Sequence, residues 1–152
     1  MKMLETVKIH VVAADEGEAI DVLGLPMMVK CDGSHLPLFL AEHELPPGAG
    51  TPAHIHDHDD EMFYMLAGEL TLEGREGETR IGPGACAQFP RGSFHGFRND
   101  GPETARFLVI CNPGRQALEM FRHFDRASRA SGTALAPQEV GAICDQYGVR
   151  FG

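Results

Sequence analysis

Short apolar runs separated by turn-forming residues dominate the first 112 residues of the chain. The turns read PPGAG, EGREGE, GPG, PRG and NDGPE, and the runs between them have the length of β-strands. The runs cover residues 7–13, 25–30, 36–45, 62–67, 70–72, 86–89, 94–97 and 105–111. Many short strands punctuated in this way predict an all-β sandwich or barrel over about residues 5–112.

The hydrophobic period changes to that of a helix after Gly114. Apolar residues recur at helical spacing from Leu118 to Ala127, and the segment SRASGTALA is expected to be a linker. Pro137 then opens a second helix, for which Gly148 is the expected stop. Two short C-terminal α-helices are therefore predicted over about residues 115–148. We expect them to pack on the core or in a dimer interface, and the alternative is a lid over a pocket.

Length and charge limit the classes of function. A chain of 152 residues fits one domain spanning residues 1–152. The formal net charge of −9, without any Lys/Arg run, argues against a nucleic-acid partner. No apolar stretch approaches 18 residues, which argues against a membrane span, and the N-terminus lacks the layout of a signal peptide. We therefore expect a cytoplasmic protein.

The four cysteines are not candidate metal ligands. They are widely spaced, lie in apolar surroundings and form no CxxC pair, so we expect buried free thiols. They are Cys31, Cys86, Cys111 and Cys144.

The segment PAHIHDHDDEMFYMLAG, residues 52–68, carries the strongest chemical signal. In an extended strand His54 and His56 project from the same face, and Glu61 follows shortly after. Imidazole nitrogens and a carboxylate oxygen suit one transition-metal ion. Between these residues lie Asp57, His58, Asp59 and Asp60. We expect a solvated acidic loop there, and the alternative is a hydrogen bond to a ligand imidazole.

A second segment, GACAQFPRGSFHGFRN, covers residues 84–99 and contains His95 after a Pro-Arg-Gly turn. The two segments resemble the two signature motifs of the cupin superfamily. The matching positions are Gly48, His54, His56, Glu61 and Gly68 in the first motif and Gly84, Pro90, Gly92, His95 and Asn99 in the second. The C-terminal pattern more loosely resembles bacterial quercetin-dioxygenase-like proteins.

The resemblance implies a double-stranded β-helix, or jelly roll, that holds one divalent transition metal. The implied metal ligands are His54, His56, Glu61 and His95. Ligand type alone leaves Fe, Mn, Ni, Cu and Zn open. Glu61 is also the candidate catalytic residue, because a carboxylate that leaves the metal could act as a general base.

The alternation of side chains along the strands predicts which residues form a pocket wall around the metal. His43 is its polar member, expected to be a satisfied core or surface histidine or else an acid/base near the metal. Plain core packing is the alternative for the apolar members. The candidate residues are Phe39, His43, Phe63, Met65, Phe89, Phe97 and Phe107.

The resemblance to quercetin-dioxygenase-like cupins implies an enzyme, namely a metal-dependent dioxygenase that acts on a small aromatic or enolisable substrate. Two alternatives stay open: a non-catalytic cupin that binds or senses a small ligand or metal, and a non-redox isomerase or lyase. A homodimer is also expected, since small cupins commonly pair sheets or swap terminal strands, and residues 7–13 could serve as such a strand.

Overall fold

A computed structural model describes residues 7–152 of the chain. Residues 5 and 6, where the barrel was expected to begin, lie outside the described residues. Within the described part the chain forms ten strands, two helices and a final short strand. In chain order they are β1 Glu18–Val22, β2 Leu25–Asp32, β3 Phe39–Leu45, β4 Gly50–His56, β5 Asp60–Ala67, β6 Leu70–Gly74, β7 Gly77–Ile81, β8 Cys86–Phe89, β9 Phe94–Arg98, β10 Ala105–Asn112, α1 Arg115–Ser131, α2 Pro137–Gln146 and β11 Val149–Phe151.

The strands form two sheets in which every pairing is antiparallel. One sheet has the order β1-β2-β3-β10-β5-β8, and the other has the order β11-β4-β9-β6-β7. Strands adjacent in sequence often lie in different sheets, as in a double-stranded β-helix. The expectation of an all-β jelly roll with two C-terminal helices is confirmed.

The core lies between the two sheets because inward and outward residues alternate along each strand. On β3 the buried residues are Phe39, Ala41, His43 and Leu45, and the residues between them are more exposed. The β10 strand shows the same period, with Phe107 among its buried residues. This alternation aims one face of each strand into the barrel.

One predicted strand is wrong. Residues 7–13 form no strand in the structure, and the side chains of Val7, Ile9 and Val11 are 96%, 92% and 72% exposed. Apolar alternation alone does not make a strand, because the backbone also needs a hydrogen-bonding partner.

Four strands lay outside the predicted runs. β4 contains His54 and His56, for which an extended strand was expected, and β1, β7 and β11 are short or polar. β1 is joined to β2 by Leu23 and Gly24, both with positive φ (56° and 87°). This is the backbone of a two-residue type I′ hairpin, which glycine adopts without steric cost.

Both helices are present, and the first is longer than predicted. The α1 helix includes residues 128–131, which were expected to be linker, and it ends at Gly132. The α2 helix begins at Pro137 as expected. Within residues 7–152, neither helix combines the length and apolar character needed to cross a membrane.

All four cysteines are free, but they are not all buried. Cys111 and Cys144 are buried, Cys31 is partly exposed and Cys86 is exposed. The expectation for Cys86 is wrong because it lies on β8, an edge strand of its sheet, with its side chain on the outer face.

Candidate metal centre

Three strands from both sheets bring the predicted ligands together. His54 and His56 lie on β4, and His95 lies on the paired strand β9, directly opposite His54. Glu61 comes from β5 in the facing sheet. All four residues are buried, and one possible ligand atom from each lies within 4.8 Å of those of the others. The four residues form a possible metal site.

A register irregularity in β4 shapes this site. The pairing of β4 with β9 shifts between Thr51 and His54, which is the signature of a β-bulge. The neighbouring Gly96 accommodates the bulge, since an added Cβ would lie 2.8 Å from the backbone nitrogen of Ala53. The bulge therefore depends on glycine next to His95.

Backbone carbonyls orient two of the imidazoles. Nδ1 of His54 lies 2.8 Å from the carbonyl oxygen of Pro52, and Nδ1 of His95 lies 3.3 Å from that of Ser93. A neutral ring that donates through Nδ1 keeps its lone pair on Nε2. These contacts turn Nε2 into the available ligand atom, as in metal sites whose histidines are held by a carbonyl.

The spacing around Glu61 fits a bound cation. Nε2 of His95 lies 2.9 Å from Oε1 of Glu61, and Nε2 of His56 lies 3.8 Å from Oε2. A neutral His95 that donates through Nδ1 would face the carboxylate with a lone pair, so two acceptors would oppose each other. A cation between these atoms removes the conflict, because it accepts both lone pairs.

The local electrostatics keep Glu61 and His54 in their metal-binding forms. Burial opposes the charge on Glu61, but His56, His95 and His54 outweigh it and lower the pKa of the carboxyl to about 2. Burial lowers the pKa of His54 to about 4. Near pH 7, Glu61 is therefore a carboxylate and His54 a neutral imidazole.

The structure adds one contact that the sequence reasoning missed. Cys111 lies opposite Glu61 in the β10–β5 pairing, and its Sγ donates to Oε2 of Glu61 at 3.6 Å. Burial raises the pKa of this thiol, so it stays a neutral donor. Strand parity could have placed Cys111 inward, but only the register brings it to Glu61.

The cluster opens into a cavity of about 1040 Å³. His54, His56 and Glu61 line it, together with three of the predicted pocket residues, His43, Phe63 and Phe97. The helices supply much of the remaining wall, through residues that the sequence reasoning assigned to packing. They are Met120, Phe121, Phe124, Val140 and Cys144. Met120, Phe124 and Cys144 also belong to the hydrophobic core, so the helices pack on the core as expected, and with their linker they also line the cavity.

The other predicted pocket residues lie behind this wall. Phe39 packs against Phe121 with ring centroids 5.8 Å apart, and Phe89 stacks on His95 at 4.1 Å. Phe107 contacts Phe63, 4.8 Å between centroids, and is fully buried. Met65 is also buried in the core. Direct contact of these four residues with a substrate stays a prediction.

The expected solvated loop is only partly solvated. Asp59 is buried, and its carboxylate accepts hydrogen bonds from the backbone N–H groups of Gly114 (2.8 Å) and Ala117 (2.9 Å). It therefore caps the N-terminus of α1, whose free N–H groups favour an anion. His58 and Asp57 are exposed as expected.

Comparison with known proteins agrees with the motifs and the fold. The family model of the cupin domain matches residues 41–111, a range that contains all four candidate ligands. A solved sugar phosphate isomerase of the cupin superfamily from Silicibacter pomeroyi DSS-3 superimposes with a TM-score of 0.61 and 27% identity, over 68% of this chain and 75% of that one. Residues 41–111 form a cupin domain.

Two curated relatives match over shorter stretches. An oxalate-binding protein from Thermotoga maritima is 29% identical over 70 residues, which is 46% of this chain and 58% of that protein. An endoribonuclease YbeY from Myxococcus xanthus is 33% identical over 101 residues, 65% of this chain but 32% of that protein. The chain thus spans less than two thirds of the length of either relative.

Proposed function

We propose that this cupin is a metal-dependent dioxygenase that acts on a small aromatic or enolisable substrate. One observation carries the proposal: the buried cluster of three imidazoles and one carboxylate opens into a large, mainly apolar cavity. A metal ion held by this ligand set can bind a substrate at the coordination positions that protein ligands leave open. Cavities of this size and character bind small organic molecules.

His54, His56, Glu61 and His95 would hold one divalent ion. Fe, Mn, Ni, Cu and Zn all accept such a set of nitrogen and oxygen ligands. The bound ion would supply Lewis-acid activation and, if it is redox-active, electron-transfer chemistry. The protein contributes the fixed imidazole orientations, the hydrogen bond from Cys111 to Glu61 and the apolar surroundings.

The charge distribution in the cavity favours a neutral substrate over a phosphate or a dicarboxylate. Of the described residues that line the cavity, Arg129 is the only one with a Lys or Arg side chain. Its side chain is 71% exposed and bonded to Asp125. Phosphate and carboxylate groups are usually bound by buried or convergent cations. The cavity therefore offers an aromatic or enolic molecule a better match than a sugar phosphate.

Oxygen consumption tests the proposal. Protein loaded in turn with each of the five metals is screened against flavonols, catechols and diketones in an oxygen electrode, with ¹⁸O₂ used to follow incorporation. We expect at least one pair of metal and substrate to consume one O₂ per substrate and to incorporate both oxygen atoms. His54→Ala should abolish turnover, whereas His58→Ala, which changes the exposed neighbouring histidine, should retain it.

Other outcomes identify the alternatives. Substrate conversion without oxygen uptake would contradict the dioxygenase and support a non-redox isomerase or lyase. Tight binding of a ligand without any conversion would contradict catalysis and support a binding or sensing role.

A further inference from the structure

His43 is a buried imidazole in the cavity that the metal cluster leaves unused. It lies at the centre of β3, between Met27 of β2 and Phe107 of β10 in the strand register, and is 4% exposed. The ring packs edge-on against Phe107, 5.5 Å between centroids. Its place in the sheet therefore holds the ring rigidly in the wall.

A backbone contact decides which nitrogen of His43 faces the cavity. Nδ1 lies 3.0 Å from the carbonyl oxygen of Pro26, so this nitrogen carries the proton and donates it. Nε2 then keeps its lone pair. Burial lowers the pKa of His43 to about 4, so the ring is neutral near pH 7. The residue presents a hydrogen-bond acceptor to the same cavity that His54, His56 and Glu61 line.

Other titratable groups along the cavity already have partners or are poor acceptors. Asp125 accepts hydrogen bonds from the backbone of Asp21 and from Arg129, and Asp21 accepts one from the backbone of Gly24. Burial raises the pKa of Cys144 to about 11, so its thiol is not a base near pH 7. The remaining groups, His54, His56 and Glu61, belong to the cluster.

We propose that His43 accepts the proton of a substrate hydroxyl, so that an enol or phenol enters the cavity neutral and becomes an oxyanion there. The O–H bond breaks, a bond from this hydrogen to Nε2 forms, and the electron pair stays on the oxygen that faces the cluster. The charged ring is then stabilised by the new anion and by the negative charge of Glu61. This inference rests on the proposed function only in its choice of substrate class.

His43, rather than Glu61, is then the base that accepts the substrate proton. Glu61 already receives the thiol hydrogen bond of Cys111 and contacts His95. With His43 as the acceptor, Glu61 can stay in the cluster throughout.

The direct test counts protons during binding of a neutral phenol. Zinc-loaded protein is titrated with 4-nitrocatechol at a pH where the free probe is neutral. Calorimetry in two buffers of different ionisation enthalpy gives the protons released, and the probe absorbance reports its ionisation. We expect the wild type to bind the ionised probe with almost no proton release. His43→Gln, whose amide can hydrogen-bond but cannot take up a proton, should release close to one proton or bind about tenfold more weakly.

Met27→Leu is the matched control, because it alters the cross-strand neighbour of His43 with little change in volume. It should match the wild type in the protons released and bind the probe within a few-fold of wild-type affinity. Equal affinity and equal proton counts for wild type and His43→Gln would overturn the inference.

A metal-free measurement separates this inference from the proposed function. Phenol is added to chelator-treated protein labelled with ¹⁵N-histidine, and the Nε2 resonance of His43 is followed by NMR. We expect it to shift on phenol binding, and an unshifted resonance at saturation would overturn the role of His43. If Nε2 shifts but zinc-loaded protein binds no catechol, the proposed function fails and the acceptor role of His43 stands.

Discussion

At the scale of single residues, the metal cluster depends on one hydrogen bond from a residue that is distant in sequence and on two contacts with backbone carbonyls two residues away. Glu61 receives the thiol of Cys111, and His54 and His95 are oriented by backbone carbonyls. The four candidate ligands could be predicted because their spacing in two short segments is visible in the sequence. The contact from Cys111 could not, since it depends on the register between β10 and β5.

Removing the thiol of Cys111 should weaken metal binding. Cys111→Ala leaves Oε2 of Glu61 without this donor, and loss of such an outer hydrogen bond typically costs about 10- to 100-fold in metal affinity. Cys111→Ser, which restores a donor, should recover most of the affinity. Competition with a chromophoric zinc chelator measures these affinities.

Cys144→Ala is the control. Cys144 is also a buried free cysteine, but none of its described hydrogen bonds reaches a candidate metal ligand. Equal zinc affinity for Cys111→Ala and Cys144→Ala would contradict a positioning role for Cys111.

The buried histidines should make the stability of the metal-free chain depend on pH. Burial lowers the pKa of His43 and His54 from 6.5 to about 4, so between these values the unfolded chain binds more protons than the folded chain. The free energy of unfolding should therefore fall as the pH drops from about 6.5 to about 4, by roughly 3 kcal/mol per histidine. Glu61 adds a further loss only below about pH 4.5, since its pKa is lowered to about 2.

Thermal unfolding of chelator-treated protein from pH 7 to pH 4 measures this dependence. His43→Gln should remove roughly half of the loss of stability between pH 7 and pH 4. A melting temperature that does not change across this range would contradict neutral burial of both imidazoles.

At the scale of elements, apolar runs predicted most strands but not their partners. Seven of the eight runs overlap strands, because buried alternation is a local property. The prediction of a strand at residues 7–13 was wrong, and the short or polar strands β1, β7 and β11 were not anticipated. Strand formation depends on hydrogen bonding to a neighbouring strand, which the local pattern does not reveal. The helices were predicted by period, but their position over the cavity depends on how α1 packs beside β1 and α2 beside β11.

Asp59 links the cluster to the helical cover. It lies between His56 and Glu61 in sequence and caps α1 through Gly114 and Ala117. Asp59→Ala should lower the free energy of unfolding by about 1–3 kcal/mol, because two buried N–H groups lose their acceptor. Asp59→Asn, which keeps one acceptor oxygen, should have an intermediate effect.

Urea unfolding compares these variants with Asp57→Ala. Asp57 is exposed and pairs with Arg150 at the surface, so its loss should cost much less than the loss of Asp59. Similar losses for Asp57→Ala and Asp59→Ala would contradict the capping role.

At the scale of the whole molecule, the two sheets and the C-terminal helices enclose one site. The five-stranded sheet contributes three histidines, and the six-stranded sheet contributes Glu61 and His43. The helices cover the open end of the barrel and make its cavity apolar. With this division, we expect substitutions in α1 or α2 to alter substrate choice while the donor set stays intact.

A homodimer stays a prediction, and the segment at residues 7–13 is the place to test it. Val7, Ile9 and Val11 expose apolar side chains to solvent at alternate positions, a pattern that a second copy could bury. We expect sedimentation velocity to show a dimer, and replacement of all three residues by serine to shift it to a monomer. A wild-type monomer at high concentration would refute the prediction.

The central claim is that His54, His56, Glu61 and His95 bind one transition-metal ion. Elemental analysis of protein purified without added chelator or metal tests it most directly, with His54→Ala and His58→Ala purified in parallel. We predict about one ion per chain in the wild type and in His58→Ala, and a large loss in His54→Ala. Wild-type protein that contains no metal and binds none of Mn, Fe, Ni, Cu or Zn on titration would contradict the claim.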